Sequence, residues 1–414
     1  MGTKEYIPRL VDRTLDMLMA ELPAVMLTGP RGCGKTTTAL RRVSSVLRLD
    51  RSDEAEVFRA APDEVLAAQS TPLLIDEWQN VPECVGAVKR AVDTGSGAGR
   101  FLLTGSVRAR VSPAGWPATG RIVPVGMDGL TECELEGARQ GATALTSLFG
   151  PEDPEVGSIE VPVDLLDYAD RAVRGTFPDA VGLGSFARTA WYEGYVENLV
   201  RRDVPQVADI RSPEAMEALL KAMALNTART PSFASLVEAC DADHRTVQYY
   251  LDLLQTLRIV DRLPAWGGNR FNRMVKTPKY HMVDPGMAAH LAGDDRAGLL
   301  RSADRLGRLI DSFVMAQIRP LLHLGAPRVG AFHLRDKNGE HEIDLVLESA
   351  SGQVVGIEVK AANTVTAKTA RHLAWLRNQL GTAFVRGVVL HTGSAVYPLG
   401  DRLWAMPIAS LWRM

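Results

Sequence analysis

AVMLTGPRGCGKTTTALRRV, residues 24–43, decides the fold of the first third of the chain. Ala24 to Leu27 form an apolar run that reads as a short strand, and Leu40 and Val43 mark the apolar side of a helix leading out. Between them Gly29, Gly34, Lys35 and Thr36 stand at the spacing G-x-x-x-x-G-K-T. Strand, loop and helix in this order predict a phosphate cradle. The loop Gly29, Pro30, Arg31, Gly32, Cys33, Gly34, Lys35, Thr36, Thr37 can turn its backbone N–H groups inward because Gly29, Gly32 and Gly34 let it bend. The helix N-terminus adds the positive end of its dipole. Lys35 is placed to reach the β- and γ-phosphates of ATP, and the Thr36 hydroxyl to coordinate magnesium.

A second apolar strand, TPLLIDEWQNV, ends in Asp76 and Glu77 about forty residues downstream. Beside a phosphate loop, Asp76 is expected to hold the magnesium ion and Glu77 to polarise the attacking water. The competing reading is a helix N-terminus that favours acids. A third strand, RFLLTGS, ends in Thr104 and Ser106. This resembles the sensor position of AAA-type ATPases, where a polar group reads the γ-phosphate; an ordinary turn competes with it. Arg121, in ATGRIVPV, follows. It is the candidate arginine finger, acting on a neighbouring subunit and making hydrolysis depend on a homo-oligomer. Arg108 and Arg110 compete for that role, and a solvated surface arginine is the plain alternative for each.

With 414 residues the chain calls for two or three domains. Its apolar fraction of 46% and charged fraction of 23% are those of a globular protein. A net charge of −2 excludes a global basic field, so any nucleic-acid contact has to come from local patches. Cys33, Cys84, Cys133 and Cys240 are scattered without a CxxC pair, which argues against a zinc site or a disulfide framework. The start, MGTKEYIPRL, is charged where a signal peptide is apolar, and no run of about 18 apolar residues occurs. The expectation is a reduced, cytoplasmic protein away from membranes.

Residues 137–164 lack periodicity and read as linker. DLLDYADRAVR and AWYEGYVENLVRRDV then carry apolar residues at helical spacing, as a helical lid would. In TPSFASLVEACDADHRTVQYYLDLLQTLRIVDRLPAW, Ser232 to Cys240 form a first helix and Asp243 caps a second. Val247, Leu251 and Leu254 are its buried stripe, leaving His244, Arg245 and Gln248 exposed where a recognition helix presents side chains. Packing or an oligomer interface is the competing use of this face.

EIDLVLESASGQVVGIEVK, residues 342–360, reads as a hairpin. Alternation puts Ile343, Leu345 and Leu347 on one face and Asp344 on the other. Val355, Ile357 and Val359 form the apolar face of the second strand, so Glu358 and Lys360 emerge with Asp344 on a wet face. A cross-strand ion pair is the plain reading.

Taken together, these segments resemble a widespread prokaryotic family of AAA-type ATP-binding proteins. The resemblance covers YIPRLVD, LTGPRGCGKTT, LLIDEWQ, FLLTGS, GTFPDAV, YVENLVRRDV, KTPKYHMVDPGMAAHL, EIDLVLE, GIEVK and GDRLWAMPIASLW. It implies an α/β chain in four parts. These are a P-loop NTPase core of AAA type (1–136), linker and helical lid (137–228), a winged helix (229–295) and a restriction-endonuclease-like domain (296–414). Asp344 followed by Glu358-x-Lys360 then matches the D…E-x-K core of restriction-like enzymes. Two carboxylates suit a hard Mg²⁺ ion, and a lysine beside them suits activation of water. Asp311, in RLGRLIDSFVMAQI, stands where family members carry a glutamate that supports the metal, and Gly175–Thr176 stands for their Gly-Gly. The implied function is an ATPase controlling a nucleic-acid-binding, metal-dependent nuclease domain, with DNA favoured over RNA. A non-cutting switch binding nucleic acid or a protein partner is the alternative, and a protein-only role in signalling is a third.

Overall fold

The structure, a computed structural model, describes residues 5–106, 120–137, 145–159, 163–207, 210, 212–267, 277–324, 329–336 and 340–413. Arg108 and Arg110 lie outside the described residues.

The first layer is a parallel sheet whose three central strands are buried throughout and mostly apolar, because helices cover both its faces. Strands β1 (Ala24–Thr28), β2 (Ser45–Arg48), β3 (Leu73–Asp76), β4 (Phe101–Gly105) and β5 (Val123–Gly126) lie in the order β2-β3-β4-β1-β5. Met26, Ile75 and Leu103 pack with Phe58, Val85 and Val88 on one face; Val25, Leu27, Leu74 and Leu102 pack with Val11 and Leu15 on the other. Register then aligns three strand ends: Leu27 lies beside Thr104, and Thr104 beside Asp76.

The stretch read as linker is stitched to the far end of the molecule. Strand β6 (Gly157–Ser158) pairs with a strand of the C-terminal sheet. The Arg386 guanidinium donates to the carbonyls of Ser147, Leu148, Gly150 and Glu152. Helices Leu165–Arg174, Ser185–Asn198 and Pro213–Leu225 follow. Ser232 caps the helix Phe233–Cys240 and Asp243 caps His244–Thr256, whose Val247, Leu251 and Leu254 are buried. An antiparallel pair, β7 (Val260–Leu263) and β8 (Lys279–Met282), completes this region.

The C-terminal sheet contains β9 (Val329–Arg335), β10 (Glu342–Ser349), β11 (Val354–Lys360), β12 (Phe384–His391), β13 (Ala395–Gly400) and β14 (Leu403–Pro407). Its order is β6-β13-β14-β12-β11-β10-β9. The helix Ala303–Leu324 contributes Ile310, Phe313 and Ile318 to a core shared with Leu345, Leu347, Val355 and Ile357. Leu373 and Leu376 of the helix Arg371–Leu380 cover the other face with Ile343, Val346 and Val354. The first core also takes in Tyr168, Met216 and Leu254 from the middle helices. The middle and the end of the chain therefore share one apolar core.

The hairpin departs from its sequence pattern in two ways. An irregularity between Ile343 and Val346 turns Ile343 to the Val346 side, so it shares no face with Leu345 and Leu347. The face carrying Glu358 is not wet either: helices cover both sides of the sheet, and Glu358 is 1% exposed.

Candidate functional site

Two sites emerge, and the first lies at the C-terminal edge of the parallel sheet. Gly32 and Gly34 adopt φ values of 77° and 98°, left-handed backbone that a side chain would strain. Gly29 has a different reason: a Cβ there would sit 2.0 Å from the Met127 carbonyl oxygen. Cys33 is buried behind the loop, while Thr37 is exposed. Lys35 is buried and folded back, its Nζ donating to the carbonyls of Gly29 at 3.1 Å and Pro30 at 2.9 Å.

Register brings the predicted magnesium ligands together. Asp76 Oδ1 accepts from the Thr36 hydroxyl at 2.8 Å and also from the Thr104 hydroxyl. The carboxylate is buried, and a guanidinium nitrogen of Arg48 lies 3.9 Å from Oδ2. Glu77 takes a left-handed backbone, φ 55°, at the strand end and accepts from the Gln79 amide. Gln79 also reaches Ser106 Oγ at 3.3 Å, so it ties Glu77 to the end of β4. These residues fit an ATP·Mg²⁺ complex: a glycine-bent loop, a lysine held only by carbonyls of that loop, and a hydroxyl–carboxylate pair.

The middle helices roof this loop. Tyr195 donates to the Arg31 carbonyl at 3.1 Å, and Arg31 pairs with Asp203. Arg9, from YIPRLVD, is buried and donates to the carbonyls of Cys33, Asp128 and Gly129 while pairing with Glu134. Arg121 lies elsewhere. It precedes β5, at the opposite edge of the sheet from the loop, and pairs with Asp93 at 2.9 Å. It cannot serve its own loop, so a role at a phosphate would have to be played on another copy.

The second site lies where the helix Ala303–Leu324, the β10–β11 hairpin and β8 meet. Five charges alternate in sign along it. Asp311 Oδ2 pairs with Lys279 Nζ at 2.5 Å, and Lys279 with Asp344 Oδ1 at 3.1 Å. Asp344 Oδ2 accepts from the Val359 N–H at 3.0 Å and lies 4.0 Å from Lys360 Nζ, which pairs with Glu358 Oε2 at 3.2 Å. Glu358 Oε1 is buried and has no hydrogen-bond partner among the described residues. Burial pushes Glu358 up to about 7, with Lys360 opposing. Burial likewise raises Asp311 against the pull of Lys279. For Asp344 the burial penalty is outweighed by Lys279 and Lys360, and it falls below the usual carboxylate range. Burial alone would lower the Lys279 ammonium, but Asp311 and Asp344 hold it above an ordinary lysine.

Beside Glu358 and Lys360 opens a cavity of about 330 Å³, also lined by Lys368, Arg371, His372, Thr366 and Thr369. An unpaired buried oxygen next to this basic mouth fits a cation site approached by an anionic chain. Asp344, Glu358, Lys360 and Asp311 lie along this one run of ion pairs, and Lys279, which joins two of them, was missed. Its strand reads KYHM, and nothing in it signals that the lysine turns inward. Thr176 gains a reason as well: its hydroxyl and N–H donate to Asp284, which is buried and also accepts from Tyr192 and the Met287 N–H. The exposed faces of His244, Arg245 and Gln248 lie on the helix predicted for them.

Among the described residues no helix is long and apolar enough to cross a membrane. Residues 21–135 match the AAA domain family, residues 165–297 a domain of unknown function (DUF8612) and residues 306–411 another (DUF4143). Two uncharacterized proteins, from Mycobacterium bovis and Mycobacterium tuberculosis, are each 28% identical to the chain over 392 residues, 93% of this chain and 80% of theirs. The chain is thus similar to the AAA domain family over its first third and to two families of unknown function over the rest.

Proposed function

We propose that this protein binds and hydrolyses ATP with magnesium and uses the nucleotide state to control a C-terminal nucleic-acid-binding site, with DNA the expected ligand ahead of RNA. The observation that carries the control is one helix. Ala303–Leu324 holds Asp311 at the carboxylate site, and Gln317 of the same helix accepts from the Glu132 N–H at 2.8 Å. Farther along, His323 lies 3.7 Å from Asp128, whose carbonyl is held by Arg9 beside the phosphate loop. From Asp311 to His323 is about 18 Å of rigid helix at 1.5 Å per residue.

At the first site, magnesium bound with ATP would neutralise charge on the terminal phosphates. Thr36 and Asp76 are the residues to hold it. Lys35 exchanges its two backbone carbonyls for phosphate oxygens, and Glu77, aimed by Gln79, orients the attacking water. Thr104 reports the phosphate to Asp76 through their hydrogen bond. At the second site, a divalent ion would supply Lewis-acid polarisation of a phosphodiester. Asp344 and Glu358 are its candidate ligands, Asp311 its support, and Lys360 the group that acts on water and developing charge. The basic cavity would seat the backbone, with the exposed face of His244–Thr256, read as a winged-helix recognition helix, as a second contact.

A second reading, a switch that binds without cutting, is favoured by Lys279, which already neutralises Asp311 and Asp344. Cleavage assays on single- and double-stranded DNA and on RNA, with Mg²⁺ or Mn²⁺ and with or without ATP, decide between the two. Cleavage lost in both Asp344→Ala and Lys360→Ala, with binding kept in the latter, supports the nuclease. Binding without cleavage under every condition leaves the switch, and binding to none of these probes sinks the nucleic-acid reading.

A further inference from the structure

Five charged groups fill the carboxylate site, three acidic and two basic, and they differ in origin. Asp311, Asp344, Glu358 and Lys360 belong to the C-terminal sheet and its helix, whereas Lys279 enters from β8 of the preceding region. Its ammonium stands between Asp311 and Asp344 with its side chain 3% exposed. That is the position in which a cation bridging these two carboxylates would have to sit.

We propose that the seat between Asp311 and Asp344 has two alternative occupants, the Lys279 ammonium and a divalent cation, so that cation loading requires Lys279 to withdraw. This rests on the metal-site reading above and adds to it a resident competitor. Two observations carry it. The seat is filled by a primary ammonium held by two carboxylates, and Glu358, joined to Asp344 through Lys360, keeps a buried oxygen with no donor among the described residues, so one ligand atom of the cluster is left unused while Lys279 is in place. A divalent ion placed against a buried ammonium is repelled in a medium that screens poorly; with Lys279 gone, three carboxylates face one ammonium, a charge that a divalent ion neutralises. Lys279 is the first residue of β8, paired with Leu263 of β7. A shift of the β7–β8 pair against β10 would therefore remove the lysine while leaving the other four groups in place.

The test uses the full chain, purified in chelator and titrated with Mn²⁺ followed by electron paramagnetic resonance. Lys279→Met is expected to bind Mn²⁺ at least tenfold more tightly than the wild type, and Asp344→Asn added to it is expected to abolish that binding. Thermal unfolding gives a second readout: Mn²⁺ should raise the midpoint of Lys279→Met well beyond that of the wild type, with equal ionic strength of NaCl ineffective. Lys279→Gln replaces the methionine variant if that fails to fold in chelator, and folding of either variant only in Mn²⁺ supports the proposal. On the wild type, acetylation read by mass spectrometry should find Lys279 protected in chelator and labelled at saturating Mn²⁺. Equal affinity in wild type and variant, or a protected Lys279 with Mn²⁺ bound through Asp344, overturns the competition while leaving the metal site standing. Absence of Mn²⁺ binding in every form, or failure of both variants to fold even with Mn²⁺, overturns the proposal, the former taking the metal-site reading with it.

Discussion

Asp76 and Glu77 are adjacent in sequence yet reach different partners, and the backbone between them makes the separation. Asp76 ends β3 facing the hydroxyls of Thr36 and Thr104, while the left-handed turn at Glu77 directs the next carboxylate toward Gln79. Lys35→Ala is expected to abolish ATP binding measured by fluorescent-analogue titration. Glu77→Gln should keep binding and lose turnover by at least a hundredfold; unchanged turnover would remove Glu77 from the mechanism. Glu358 yields a pH prediction. Its folded pKa, about 7, lies above the ordinary 4.5, so its favourable contribution is full below pH 4.5 and is lost as pH rises through 7. In chelator, Glu358→Gln should therefore gain stability on the wild type between pH 5 and 8, on the order of 2–3 kcal/mol by denaturant melts. A constant difference across that range would contradict the assignment. At this scale the phosphate-loop residues were legible because their chemistry is local in sequence. Lys279, Gln79 and Arg9 were not, because each acts only through partners that the fold brings from far away.

Among the elements, the helix Ala303–Leu324 and the β10–β11 hairpin matter most. Gln317 is 3% exposed and satisfies the Glu132 N–H. Gln317→Met leaves that donor unpaired, at a cost of about 1–3 kcal/mol. It should keep ATP turnover within about twofold while the response of DNA affinity to nucleotide shrinks severalfold in anisotropy titrations; an unchanged response would free this helix from the coupling. Strand alternation located the hairpin and its charged positions, since period 2 is a property of the chain alone. The bulge that turns Ile343 away from Leu345, and the helix that buries Glu358, depend on β9 and on Leu373 and Leu376. No window of sequence contains those neighbours. The cap Asp243 was readable, as capping uses residues two or three apart, whereas Ser232, read as the first helical residue, is itself the cap.

On the scale of the whole molecule, the parallel sheet presents its two ends to different surroundings. The phosphate loop faces the roof of middle helices, and Arg121 sits at the far edge on the surface. If that arginine completes a neighbour's site, its contribution should be about 10³–10⁵ in rate. Turnover per subunit should then rise steeply with protein concentration, and Arg121→Ala should flatten the curve; a concentration-independent rate from a monomer would rule this out. Communication between the two sites would show in DNA affinity measured in defined nucleotide states. Fluorescence anisotropy of a labelled duplex, titrated with wild-type protein in the presence of a non-hydrolysable ATP analogue, ADP or no nucleotide, should give affinities at least tenfold apart. The spread should vanish in Lys35→Ala. Measurable binding with one affinity in all three states would contradict the account.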